Sequence, residues 1–162
     1  MLEKHDNVVE LQEDQKTYTI GEAADILGVS VPTLRLYEIE GLVIPFRRGS
    51  KHRRYSEKDI ERIQCIRNLI NQEKVSIEGI KRLLALIPCW IIKQCPETTR
   101  ANCAAFEQIT QPCWMVTNRS LECKNVECRL CPVYTEIGDC KTLKRTIIGF
   151  TAATPVVGQT TG

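Results

Sequence analysis

The sequence predicts a mainly α-helical chain in two parts: a four-helix segment carrying a short β-hairpin, then a small irregular cysteine-rich module. Three observations lead there. Apolar residues recur at helical spacing between Thr19 and Ile87, punctuated by Gly, Ser and Pro where helices end and start. Arg47 to Arg54 holds five Lys/Arg plus His52 and no acid. Eight of the nine cysteines lie between Cys89 and Cys140.

The elements follow in order. Residues 1–16 carry five acids against two lysines, lack periodicity, and read as a disordered lead-in. Thr19-Ile20-Gly21-Glu22 opens a first helix packed through Ala23, Ala24, Ile26 and Leu27, and Gly28 ends it. Ser30 caps a second helix with Pro32 in its first turn, where a missing N–H costs nothing, and Gly41 stops it. Two short helices across so tight a connection make a helix-turn-helix. Leu42 to Pro45, the basic run around Gly49-Ser50, and Tyr55 read as a β-hairpin wing. Ser56 caps a third helix (Ile60, Ile63, Ile66, Leu69, Ile70) and Ser76 a fourth (Ile77, Ile80, Leu83, Leu84, Ile87), which Pro88 terminates. Residues 17–87 are thus one domain. Residues 88–140 form the cysteine module, with only Thr98–Gln108 looking helical, and 141–162 form a flexible tail.

With 162 residues, 43% apolar but only 6% aromatic, each part is small enough that a bound metal would help it fold. The net charge is only +2, so the local basic cluster is the sign of a nucleic-acid partner. The N-terminus has no signal-peptide character, and Leu83–Ile92 is too short and too interrupted to cross a bilayer. The expectation is a cytoplasmic, non-enzymatic chain with no membrane partner. In a reducing compartment, dense cysteines read as metal-binding or redox-active more than as structural disulfides.

A helix-turn-helix with a basic wing reads double-stranded DNA by laying its second helix in the major groove while the wing meets phosphates or the minor groove. Thr33, Arg35 and Tyr37 occupy the early turns of that helix. The plainer alternative is a solvated charged hairpin on another small α domain. Thr19-Ile20-Gly21-Glu22-Ala23-Ala24, Thr33-Leu34-Arg35-Leu36-Tyr37-Glu38, Gly41-Leu42, His52-Arg53-Arg54-Tyr55-Ser56 and Ser76 to Leu84 resemble the MerR family of bacterial transcription regulators over residues 18–87. The resemblance implies a winged helix-turn-helix that binds palindromic promoter DNA as a homodimer and acts with RNA polymerase at the promoter. It assigns Arg35 and Tyr37 to phosphate and groove contacts, Arg47, Arg48, Lys51, Arg53 and Arg54 to the wing, His52 to the wing or packing, and Tyr55 to both packing and backbone contact. In one respect the chain departs from the family. Pro88, Pro96 and Pro112 interrupt the place where such regulators carry a long dimerising helix.

The module's spacing is Cys89-x5-Cys95-x7-Cys103-x9-Cys113-x9-Cys123-x4-Cys128-x2-Cys131-x8-Cys140, with Pro-Cys-Trp repeated at Pro88 and Pro112. Cys128-x2-Cys131 lets two thiolates reach one centre from a single turn. With Cys123 and a later fourth cysteine it matches the plant-type iron–sulfur spacing. With so few histidines any metal site is all-cysteine, and three readings stay open: an iron–sulfur cluster, zinc, or disulfide and thiol sensing. The pattern is similar to a two-Cys-Trp module appended to bacterial signalling proteins. That likeness covers residues 88–134 and includes Cys89, Cys95, Cys103, Cys113, Cys123, Cys128 and Cys131, leaving Cys140 outside. A branch of the MerR-like family also holds an iron–sulfur centre on C-terminal cysteines, at tighter spacing. Trp90 and Trp114 are expected to pack over the site, and Cys65 to be a core residue of the third helix. The functional expectation is a regulator whose output answers to a metal, a cluster or a redox state. Its rivals are a DNA-binding protein with a purely structural zinc and a thiol redox protein. Coupling between the halves is expected at Pro88 and Cys89, where the fourth helix ends.

Overall fold

The computed structural model describes residues 16–47 and 52–136 together with residues 145, 148 and 149. The expected disordered lead-in, the wing tip with Arg48 and Lys51, Cys140 and most of the tail lie outside the described residues.

The chain runs β1 (Thr17–Thr19), α1 (Ile20–Leu27), α2 (Val31–Ile39), β2 (Phe46–Arg47), β3 (Arg53–Ser56), α3 (Glu57–Asn71) and α4 (Ile77–Ala85). Local chemistry sets these boundaries. Thr19 and Glu22 form a reciprocal capping box at the start of α1, and Gly28 closes it with a φ of 61° that a residue with a Cβ adopts at a cost. Ser30 accepts from the Thr33 N–H at the start of α2, and Ser76 accepts from Gly79 at the start of α4. Ser56 and Asp59 make a second capping box for α3.

The wing is part of a three-stranded antiparallel sheet of order β1-β3-β2 rather than a lone hairpin. Thr17-Tyr18-Thr19 is β-branched and aromatic, and Tyr18 pairs with Tyr55 across to β3. Two apolar positions expected to pack inward, Ile26 and Leu83, are 50% and 42% exposed.

Beyond Pro88 the chain forms one-turn helices: α5 (Cys89–Ile92), α6 (Glu97–Arg100), α7 (Ala104–Glu107), α8 (Leu121–Lys124) and α9 (Pro132–Thr135). Single 3₁₀ turns stand at Cys113–Met115 and Cys128–Leu130. The helix expected over Thr98–Gln108 is two such turns. It breaks because the Ala104 N–H donates to the Asn118 carbonyl at 3.1 Å instead of continuing the helical ladder.

The two halves share one hydrophobic core. Leu34, Leu42, Tyr55, Ile63 and Ile80 are fully or almost fully buried at its centre, and Cys131 and Val133 of the module belong to the same cluster. The join is tightest at Gly41, whose φ is 71° and whose missing Cβ leaves room for the Met115 side chain. Gly41→Ala is expected to destabilise the chain by more than about 1 kcal/mol, because it combines left-handed strain with a clash. A urea titration unchanged within error would show that Met115 gives way freely.

A candidate nucleic-acid interface and a seven-thiol cavity

On the helix-turn-helix face, Arg35 is exposed on α2 beside Leu36, which is 43% exposed. Thr33 is half-buried, and its hydroxyl is 2.8 Å from that of Ser30. Arg47 and His52 are exposed at the two inner ends of the wing, and Arg54 is half-buried. Tyr37 is corrected as a contact residue, and for Tyr55 the packing half of the expectation is what the structure bears out. Tyr37 is 6% exposed and lies in the core, because its register on α2 matches that of the buried Leu34 three residues earlier. Tyr55 is fully buried, with its hydroxyl donating to Glu38. Burial, and then that bond, push the Tyr55 hydroxyl well above the usual phenol range.

Glu38 is the residue that sequence reasoning passed over. Its second oxygen accepts from Arg53 Nε at 2.5 Å, so one carboxylate on α2 ties down β3 through two partners. Arg53 is thereby half-buried and anchors the wing to the helix, leaving Arg35 and Arg47 as the more exposed cations, with Arg54 half-buried beside them.

In the module, Cys89, Cys95, Cys103, Cys113, Cys123, Cys128 and Cys131 all line one cavity of about 30 Å³. They come from α5, the segment after it, the start of α7, the two 3₁₀ turns, α8 and the start of α9, and all seven are free thiols. Cys65 stands apart on α3, where it is half-buried rather than buried, and it is disulfide-bonded.

Trp90 meets Phe106 edge-on at 5.0 Å and Trp114 meets Tyr134 edge-on at 5.3 Å, and all four rings line the same cavity. Lys93, Arg100 and Arg119 complete its wall as the cationic members. Arg119 Nη1 donates to Cys128 Sγ at 2.5 Å, and the Ser120 N–H donates to Cys103 Sγ at 3.4 Å. The Arg100 Nε is buried without an acceptor.

The two Pro-Cys-Trp tripeptides bring Cys89 and Cys113 together. A hydrogen bond with Cys113 lowers Cys89 to about 7 against the opposing effect of burial, while the same bond and burial push Cys113 up. Burial first, then neighbouring thiols, raises Cys95 and Cys123. Among the described residues no three His, Cys, Asp or Glu side chains converge tightly enough to hold a single ion.

The cavity abuts the root of the wing, which the expected coupling through Pro88 did not anticipate. Trp114 Nε1 donates to the Gly41 carbonyl at 2.7 Å, and the Ile44 N–H donates to the Tyr134 hydroxyl at 2.8 Å. Arg62 of α3 donates to the Tyr134 carbonyl, with its guanidinium 3.8 Å from the centre of the Tyr134 ring. Arg129 and Asp59, 6% and 2% exposed, form an ion pair at 2.5 Å.

The geometry can be set beside known proteins. The model of the MerR HTH family regulatory proteins matches residues 18–87. HspR of Streptomyces coelicolor is 41% identical over 80 residues, which cover 49% of this chain and 53% of that protein. An HTH-type transcriptional regulator of Haemophilus influenzae is 31% identical over 118 residues, covering 70% of this chain and 71% of that one. Heavy metal-dependent transcription regulator 2 of Rhizobium meliloti is 40% identical over 68 residues, covering 41% of this chain and 46% of that protein. The chain thus spans about half the length of HspR. No solved structure matches the chain. Among the described residues no helix is long and apolar enough to cross a membrane.

Proposed function

The chain belongs to the MerR family of helix-turn-helix regulatory proteins, and from that premise we propose that it is a transcription regulator whose promoter output is set by a metal centre held on the thiols of its C-terminal module. The observation that carries the proposal is the convergence of the seven described cysteines of the module on one cavity built against the wing. A relative named for heavy-metal dependence supports metal as the class of signal.

An iron–sulfur cluster fits the donor set best. A tetrahedral zinc site with metal–sulfur distances near 2.3 Å packs its thiolates roughly 3.8 Å apart. Among the described residues no three such side chains are grouped to hold a single ion, whereas a cluster spreads its ligands around a larger inorganic core. Cys123, Cys128 and Cys131 with one of the four earlier thiols would hold it. When bound, such a centre supplies a charge and ligation state that changes with electron transfer or loss of metal. The chain's own residues do the rest. The ring pairs give the cavity apolar walls beside the thiols, and Lys93, Arg100 and Arg119 would offset the thiolate charge of a bound centre, which would give the buried Arg100 Nε an acceptor.

Protein purified without oxygen is expected to carry iron and inorganic sulfide and to be brown, fading in air. Colourless protein with stoichiometric zinc would favour a structural ion, and a folded metal-free chain would sink both metal readings.

Double-stranded promoter DNA is the partner this proposal gives to the helix-turn-helix face, with RNA polymerase at the same promoter and a second copy of the chain on the other half-site. Arg35→Ala and Arg54→Ala are each expected to weaken duplex binding by about 1–3 kcal/mol for a lost base contact, or to lower the salt slope by about 1 for a lost phosphate contact. Helical α2 should survive the first change, since Arg and Ala are both good helix formers. A titration at several salt concentrations that finds both variants equal to the parent would remove this face as the DNA interface.

A further inference from the structure

We propose that Arg129 is the positioning residue through which the ligation state of the thiol cavity reaches the wing. The inference deepens the proposed function and rests on its reading of the cavity as a metal centre.

Arg129 sits inside Cys128-Arg129-Leu130-Cys131, so both thiols flanking it line the cavity. The turn that carries it is short and closed, with the Cys131 N–H donating to the Cys128 carbonyl at 3.1 Å. Its side chain reaches the other way, into the DNA-binding half, and is 6% exposed. There it grips both strands of the wing near their roots. The guanidinium carbon lies 3.3 Å from the centre of the Phe46 ring on β2, and Nη1 donates to the Ile44 carbonyl just before that strand. Nη2 donates to Ser56 Oγ at 3.2 Å, at the end of β3, and to Asp59 Oδ2 at 2.5 Å, while Nη1 reaches Asp59 Oδ1 at 3.1 Å. Asp59 in turn accepts from the Ser56 N–H and hydroxyl at 2.7 and 2.8 Å, so the same carboxylate caps α3.

Two thiolates bound to one centre are held at a set separation, and two free thiols are not. A change of that separation bears on the short turn that joins them, and Arg129 is one of the two residues between the thiols. A planar guanidinium engaged as a two-pronged fork tolerates little rotation before its bonds to Asp59 misalign. The wing is therefore held in one placement when the turn is held, and Arg47 and Arg54 on its strands move with it. Trp114 and Tyr134 also cross between the halves, Tyr134 to the same Ile44, but among the described residues neither hydrogen-bonds to β2 or β3.

The test uses the full chain and a duplex that it selects from a random-sequence pool. The protein is reconstituted with ferrous iron and sulfide without oxygen, and a matched sample is stripped with a chelator. Parent protein should bind the duplex with affinities differing by about 5- to 150-fold between the two states, the usual span of allosteric coupling. Arg129→Gln, and Arg129→Gln combined with Asp59→Asn so that no buried charge is left alone, should keep the iron content and absorbance of the parent. Their two states should differ by no more than about twofold, below that span. A variant that holds iron and keeps the parent's ratio would overturn the role given to Arg129 and leave the proposed function standing. Loss of iron from both variants would overturn it too, since Arg129 would then be shaping the cavity. Parent protein that binds no iron, or whose two states bind alike, would bring down the functional reading and this inference together.

Discussion

Asp59→Ala is expected to lower the unfolding free energy of the chain by about 3–5 kcal/mol, the range for removing one member of a buried ion pair. Both members are inaccessible, with Asp59 2% and Arg129 6% exposed, so solvent will not screen the guanidinium that is left behind. The carboxylate also accepts from the Ser56 N–H and hydroxyl, and its loss removes the reciprocal half of the capping box at the start of α3. Chemical denaturation followed by circular dichroism is the measurement. A loss below about 1 kcal/mol would mean that the pair behaves as exposed pairs do, and that the two halves are not docked in solution as they are here.

Replacing Cys128 and Cys131 together by serine is expected to abolish retained metal and to loosen the module, since in so small a unit ligand binding and folding are linked. The effect should spread beyond the module, because Cys131 and Val133 belong to the core that also contains Leu42, Tyr55 and Ile63. Elemental analysis of anaerobically purified protein, with amide exchange over residues 41–62 and 88–136, reads both effects. A double variant with a full complement of iron would place the centre on the other five thiols, and the exchange pattern would then show whether the turn still docks. Serine at Cys65, outside the cavity, should leave the metal in place.

Much of the helix-turn-helix domain was legible from residues alone because its signals are local. A cap Ser or Thr accepts from an N–H three residues on, and Gly28 and Gly41 mark left-handed backbone, so the boundaries of α1 to α4 needed no knowledge of neighbours. The third strand escaped because Thr17–Thr19 has no partner nearby in sequence and becomes a strand only by pairing with β3. Tyr37 is assigned to DNA from its place in the early turns of α2 and from the family resemblance, and Tyr55 is given a backbone contact beside its packing role from that resemblance. Their burial follows from the side of the element on which each falls, and Glu38, which receives the Tyr55 hydroxyl, lies 17 residues away along the chain. The cysteine spacing pointed to a thiolate site, but nothing in it could say that all seven thiols line one cavity, since irregular chain between Pro88 and Tyr134 carries no period to extrapolate.

By itself the sequence determined the class of this protein: a mainly helical, MerR-type domain followed by a thiol-rich module, with Arg35 and the wing arginines as the cations to test and seven cysteines as the candidate ligands. Those properties reside in residue type and short-range spacing. Tertiary structure alone decided how the two halves meet. Arg129 carries no signal of its role in the sequence, yet it is buried against Ile44, Phe46, Ser56 and Asp59, residues 70 to 85 positions away. The physical reason is that a buried charge is tolerated only where a partner and several acceptors wait for it. Whether they do is a property of the assembled core, which no local stretch of sequence contains.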